Sequence, residues 1–155
     1  MAIEDDISLL ERVPTLGVLG RQALRILAIG AETRYVHSGE RLFAAGEEAD
    51  GGFVVQEGSF SLSTPDDGAE ATVGPCTLIG ETALFAETRR PATAKALEPS
   101  TVLCIPRPLF IRMLDSFPDA ARKLREILAA RLDQSTRDIS TLRAALDARK
   151  PPSSR

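Results

Sequence analysis

Apolar positions along the 155-residue chain change period twice. Residues 7–30 carry Leu9, Leu10, Val13, Leu16, Leu19, Leu24, Leu27 and Ala28 at helical spacing. This predicts one or two amphipathic helices, broken near Pro14 and Gly17–Gly20, with Gly30 as a helix C-cap. From Thr33 the period becomes strand-like. The runs "TRYVH", "RLFAA", "GFVVQ", "SFSLST", "EATV", "TAKALE" and "TVLCIP" are short and β-rich, and turn residues separate them. Among these turns are Ser38-Gly39, Asp50-Gly51-Gly52, Glu57-Gly58 and Pro65-Asp66-Asp67-Gly68. Seven or eight short strands at this spacing predict an antiparallel sandwich or jelly-roll barrel. Gly39, Gly46 and Gly58 stand where turns call for positive φ.

The helical period returns after the last strand. "PRPLFIRMLDSF" places Leu109, Phe110, Met113 and Leu114 on one side of a short helix. Pro118 suits the first turn of a longer helix reaching about Arg149. Leu124 and Ile127 are expected to pack on the chain's own core. Leu128, Leu132, Ser135, Ile139, Leu142 and Leu146 step by 4-3-4-3-4, a heptad seam with one polar position. It predicts a parallel two-helix homodimer. The segments expected are thus 1–32 helical, 33–107 β-barrel, 108–149 helical, and a disordered tail over 150–155.

Composition narrows the chemistry. A formal net charge of −3 offers no basic face to nucleic acid or an anionic membrane. The acidic start, "MAIEDDISLL", does not read as a secretory signal, and no apolar run approaches the roughly 18 residues of a membrane span. A cytoplasmic protein is expected. Cys104 reads as a buried strand residue and Cys76 as a turn residue, with no disulfide framework between them. The single histidine, His37, reads as a strand-end residue. A metal-dependent jelly-roll enzyme needs two or three His plus a carboxylate, so no metal site and no enzymatic activity are expected.

The candidate chemistry lies in residues 80–93, "GETALFAETRRPAT". Arg90 offers a planar fork of donors to two oxygens of an anion and keeps its charge. A short helix opening near Glu81 would aim backbone N–H groups at the same anion. Gly80 permits positive φ and close backbone approach, and Thr93 can add a hydroxyl donor. Taken alone, a Glu and an Arg nine residues apart make a surface ion pair worth about 0–1 kcal/mol. The constellation carries more than the pair does.

In order and spacing, Gly80, Glu81, Ala83, Leu84, Arg90, Ala92 and Thr93 resemble the phosphate-binding cassette of the cyclic nucleotide-binding domains. These domains occur in catabolite-activator-type regulators, protein kinase A regulatory subunits and nucleotide-gated channels. "SGERLFAAGEEADGGFVVQEGSFSL" resembles the first four strands of that fold, and the likeness covers nearly all of residues 7–135. The resemblance implies an α+β fold: a jelly-roll barrel of about eight antiparallel strands between N-terminal helices and a long C-terminal helix. The cassette helix, at 81–85, would sit in the connection between the sixth and seventh strands.

The resemblance further implies a cyclic nucleotide ligand, cAMP or cGMP, and no cofactor. Phosphate would rest on Arg90, the ribose 2′-OH on Glu81, and backbone donors would come from Thr82 and Ala83. Arg131, Ser135 and Thr136 would be lid residues over the base. The sequence departs from the family at three positions. Thr82 replaces a Leu or Ile, Cys76 stands where many members have the Gly of a Pro-Gly turn, and Pro91 stands where others have Ala, Ser or Thr. Proline brings neither N–H nor hydroxyl, which favours cAMP over cGMP.

A catabolite-activator-type transcription factor would continue for roughly 70 residues into a helix-turn-helix domain. The residues after the barrel do not read as such a region, so output is expected to pass to another protein or through the dimer. Two readings follow. One is a sensor that repositions its C-terminal helices on binding and signals to a downstream partner in trans. The other is a degenerate domain that keeps the fold as a dimerisation scaffold.

Overall fold

The computed structural model describes residues 3–65 and 68–130. Helices α1 (Ile3–Glu11) and α2 (Arg21–Gly30) lead the chain, with a 3₁₀ turn at Gly17–Leu19 between them. The strands follow as β1 (Glu32–Val36), β2 (Arg41–Phe43), β3 (Glu48–Ala49), β4 (Gly51–Glu57) and β5 (Phe60–Ser63). They continue as β6 (Glu70–Val73), β7 (Leu78–Ile79), β8 (Thr88–Arg89), β9 (Thr93–Ala96) and β10 (Ser100–Pro106). Helix α3 (Arg107–Ser116) follows β10, and residues 118–130 form a further helix, α4.

The architecture is an α+β jelly roll. One sheet runs β1-β10-β4-β7, the facing sheet runs β2-β9-β5-β6, and β3 pairs with β8. Every pairing among them is antiparallel. The seven β-rich runs of the sequence correspond to β1, β2, β4, β5, β6, β9 and β10. The structure adds β3, β7 and β8, each of two residues. Two residues are too few to show a period, so only pairing reveals them. The helical part of the cassette consequently lies between the seventh and eighth strands, not the sixth and seventh. Its helix is a single 3₁₀ turn, Glu81–Leu84.

Strand alternation distributes the core between two hydrophobic clusters. In β4, Val54 faces a helical cluster while Phe53 and Val55 face the barrel interior. In β10, Leu103 and Ile105 face the helices while Val102 faces the barrel. Both strands are central in their sheet and covered on both sides, and their run of buried residues reflects this.

All eight apolar positions anticipated in residues 7–30 are buried. Leu109, Phe110 and Met113 of α3 are buried with them, and Leu114 packs against the same cluster. Leu124 of α4 is buried there too, Ile127 is half-buried, and Leu128 packs partly against the cluster. The remaining seam positions Leu132, Ser135, Ile139, Leu142 and Leu146 lie outside the described residues, as does the 150–155 tail.

Gly30 has a different role from the expected C-cap. It is the last helical residue, and an extended Ala31 follows it. A Cβ at Gly30 would lie 2.6 Å from Cδ1 of Leu109, so the glycine makes room for α3 against α2. A polar contact also ties the helices to the barrel. Buried Asp6 of α1 accepts a hydrogen bond from Nε2 of Gln56 in β4 at 3.1 Å. Burial pushes the Asp6 carboxyl upward, and the neighbouring Asp5 charge adds to this.

Candidate functional site

Arg90 follows β8, and backbone pairing holds it in place. Its N–H donates to the Glu47 carbonyl, and its own carbonyl accepts from the Gly46 N–H, both at 2.8 Å. Nη1 of the preceding Arg89 donates to the Gly46 carbonyl at 2.9 Å. The loop between β2 and β3 is thereby laced to the end of the cassette. With its backbone pinned from both sides, Arg90 turns its side chain inward and is only 5% exposed.

Inside the barrel the guanidinium lies on aromatic rings. Its Cζ stands 4.4 Å from the centroid of Phe43 and 5.3 Å from that of Phe53. The two rings stack on each other at 5.8 Å. Contacts of this type stabilise a desolvated cation by about 2 kcal/mol. They do not replace hydrogen bonds, and the buried Nη1 has no hydrogen-bond partner among the described residues. No carboxylate of the described residues lies within ion-pair distance of Arg90. Burial lowers its pKa, the more distant Asp50 and Glu47 oppose the shift, and Arg107 adds to it. Arginine remains charged under such shifts.

Gly80 brings the opposite wall close. It adopts the left-handed conformation at φ 81°, ψ 37°. A Cβ there would lie 2.4 Å from Nη1 of Arg90. Only glycine both takes this φ freely and leaves the guanidinium edge uncovered. The 3₁₀ turn then starts at Glu81, which is half-buried. The Ala83 N–H donates to the Gly80 carbonyl at 3.1 Å, so one of the two expected backbone donors is engaged within the turn. Ala83 and Leu84 are buried, and Leu84 enters the helical cluster.

The rest of the cassette is placed as follows. Thr82 is exposed, so a hydroxyl at this family-apolar position costs no burial of a polar group. Pro91 is exposed and Ala92 half-buried. The half-buried Thr93 accepts a hydrogen bond from the Ala45 N–H at 2.9 Å, which leaves its hydroxyl proton as the group that can donate. The structure thus brings Gly80 against Arg90, with Glu81 and Ala83 following in the turn, while Thr93 opens β9 in the facing sheet. Arg131, Ser135 and Thr136 lie outside the described residues. Among the described residues no group of three or more His, Cys, Asp or Glu could hold a metal. No described helix is long and apolar enough to cross a membrane.

Sequence reasoning missed Phe43 and Phe53. Each reads as an ordinary inward strand residue, and only the fold brings the two together under Arg90. It also missed Arg107, the first residue of α3. Arg107 donates through Nε to the Ala83 carbonyl at 2.8 Å and through Nη2 to the Ala49 carbonyl. Its position between two prolines marks a helix start, but nothing in the spacing shows this reach.

Residues 33–117 match the protein family described as "Cyclic nucleotide-binding domain". The chain resembles the N-terminal domain of a transcriptional regulator from Streptomyces coelicolor, with a TM-score of 0.76 and 31% identity over 84% of this chain and 94% of that one. A cyclic nucleotide-binding-like protein from Brucella abortus superposes with a TM-score of 0.64 and 34% identity, covering 72% of this chain and 98% of that one. An uncharacterized NTE family protein of Mycobacterium tuberculosis is 31% identical over 142 residues. That match covers 92% of this chain, which spans only 23% of the relative's length.

Proposed function

The chain belongs to the cyclic nucleotide-binding domain family, and we propose that it is a sensor that holds a cyclic nucleotide in its barrel. One observation carries the reading: a buried guanidinium that meets aromatic rings and a bare glycine but, among the described residues, no carboxylate. An unneutralised buried charge calls for a counter-ion. A cyclic phosphodiester supplies one negative charge and two exposed oxygens, which match two donors of an arginine fork. Glu81 would accept from the ribose 2′-OH, and the Thr93 hydroxyl would donate to the phosphate. Pro91 offers neither donor nor hydroxyl to a guanine, so cAMP is favoured over cGMP.

Binding would reach the C-terminal helices through packing. Leu84 shares a buried cluster with Phe110 and Met113 of α3. Phe85 meets Phe110 edge-to-face at 5.3 Å. A ligand that draws in the cassette turn would therefore shift α3 and, through it, α4, giving two states of different affinity. We place the protein in the cytoplasm, as a homodimer through 128–146 that signals to a partner in trans. The M. tuberculosis relative favours a second form of output. The same module there forms 23% of a longer polypeptide, where such a shift can act on an attached domain in cis.

The test is isothermal titration of nucleotide-stripped protein with cAMP and then cGMP, with Arg90→Ala as control. Saturable binding that is lost in the variant is expected. A folded wild-type protein that gives no heat and no thermal shift with either nucleotide is instead a dimerisation scaffold. Changing Leu132 and Ile139 together to Asp should yield a folded monomer in sedimentation, and an unchanged dimer would rule out the seam.

A further inference from the structure

We propose that Arg107 is a positioning residue that locks three separate pieces of the site, the cassette turn, β3 and the start of α3, into one unit. Its side chain bridges two backbone carbonyls from different elements, Ala83 in the turn and Ala49 in β3. Its own N–H donates to the Asp50 carbonyl at 2.8 Å. It forms no ion pair with the described residues, so its charge is directed at carbonyls. Hydrogen bonds from a charged donor are about twice as strong as neutral ones. The residue is half-buried, and one side of it lines a cavity of about 420 Å³ with Glu87 and Arg89.

This geometry has a mechanical consequence. The turn Glu81–Leu84 is only four residues long, and its internal hydrogen bonds are those of a 3₁₀ helix, which are weak. Apolar contacts from Leu84 and Phe85 can slide, whereas a guanidinium fork on two carbonyls fixes register. Because Arg107 opens α3, displacement of the Ala83 carbonyl pulls directly on the first residue of that helix. Arg107 also adds to the lowering of the Arg90 pKa, so an anion held at Arg90 would feel both charges. This last step rests on the sensor reading, whereas the clamp itself does not.

Amide hydrogen exchange tests the clamp on the full chain, comparing wild type with Arg107→Met. Arg122→Met, which removes an exposed arginine paired only with Asp119, is the control. Without ligand, Arg107→Met should speed exchange of the Ala83, Phe85 and Ala86 amides and the first turn of α3 by about ten- to a hundredfold. The β4 and β10 amides should be unchanged. A uniform acceleration that includes β4 and β10 would assign Arg107 a general stabilising role, and no acceleration at the turn would remove the clamp. Both results overturn the proposal. With cAMP as probe, wild type should gain protection in the turn and in α3 together, and Arg107→Met in the turn alone. Equal α3 protection in both proteins overturns the transmission step. If wild type shows no response to cAMP or cGMP, the sensor reading and the transmission step fail together, and the ligand-free arm still decides the clamp.

Discussion

The molecule has two hydrophobic interiors that differ in one respect. The helical cluster, built from α1 to α4 with one face of β4 and β10, is apolar apart from Asp6 and Thr15 at its margin. The barrel cluster, built on the opposite faces of those strands, encloses a buried cation. The cassette straddles them, placing Leu84 in the first and Arg90 against Phe43 and Phe53 of the second. Close-packed apolar interiors have few alternative arrangements. An interior with an unneutralised charge would gain one if an anion entered. The comparison teaches a division of work: one cluster holds the domain together and, on the proposed sensor reading, the other answers an anion.

The largest expected effect is on the helical side. Phe110 is fully buried and meets Phe85 edge-to-face, so Phe110→Ala should lower unfolding free energy by about 3–5 kcal/mol in urea titration. A loss below about 1 kcal/mol would contradict the division of work. The barrel side should respond in the opposite sense. Arg90→Met keeps most of the side-chain volume and removes the charge, and it should stabilise the ligand-free protein by about 1–3 kcal/mol while abolishing nucleotide binding. Destabilisation by that variant would show that the aromatic rings alone satisfy the cation.

Asp6 sharpens the picture at the junction. Its pKa is raised on folding, so the folded state binds its proton more tightly than the unfolded chain does. Stability from this group is full below the unfolded value and is lost as pH rises through the folded one. Asp6→Asn should therefore be more stable than wild type at neutral pH, by about 0.5–1 kcal/mol. The advantage should vanish on titrating below the ordinary carboxylate range, and its persistence there would exclude the charge as cause. The smallest effect concerns Cys76. It follows Pro75 in a turn and, among the described residues, is the only non-glycine with positive φ, at 67°. Cys76→Gly relieves that strain but loses side-chain packing against the helical cluster, for a net gain of about 0.5 kcal/mol. Thermal melts that move downward would show that packing outweighs strain.

Much of this architecture is legible in the sequence. Helical spacing locates the buried faces of α1, α2 and α3, because a core helix must repeat its apolar face every three or four residues. Turn glycines at Gly39, Gly46 and Gly58 are recognisable, and all take positive φ. Cys76 stands out as a non-glycine at a glycine position. The two-residue strands are not legible, nor is the packing role of Gly30, since both depend on a partner distant in sequence. Thr82 is an instructive departure. The sequence marks it as polar where the family is apolar, and only its exposure shows that the exchange is tolerated.

By itself the sequence determined the class of fold and the residue types at the site, because periodicity, turn chemistry and the order of the cassette are properties of the chain read locally. The tertiary structure decided what surrounds them. Phe43, Phe53 and Gly80 converge on Arg90 from three separate segments, and Arg107 reaches back from α3 to Ala83 and Ala49. Burial and hydrogen-bond satisfaction belong to neighbours in space, and those are assigned only when the barrel closes.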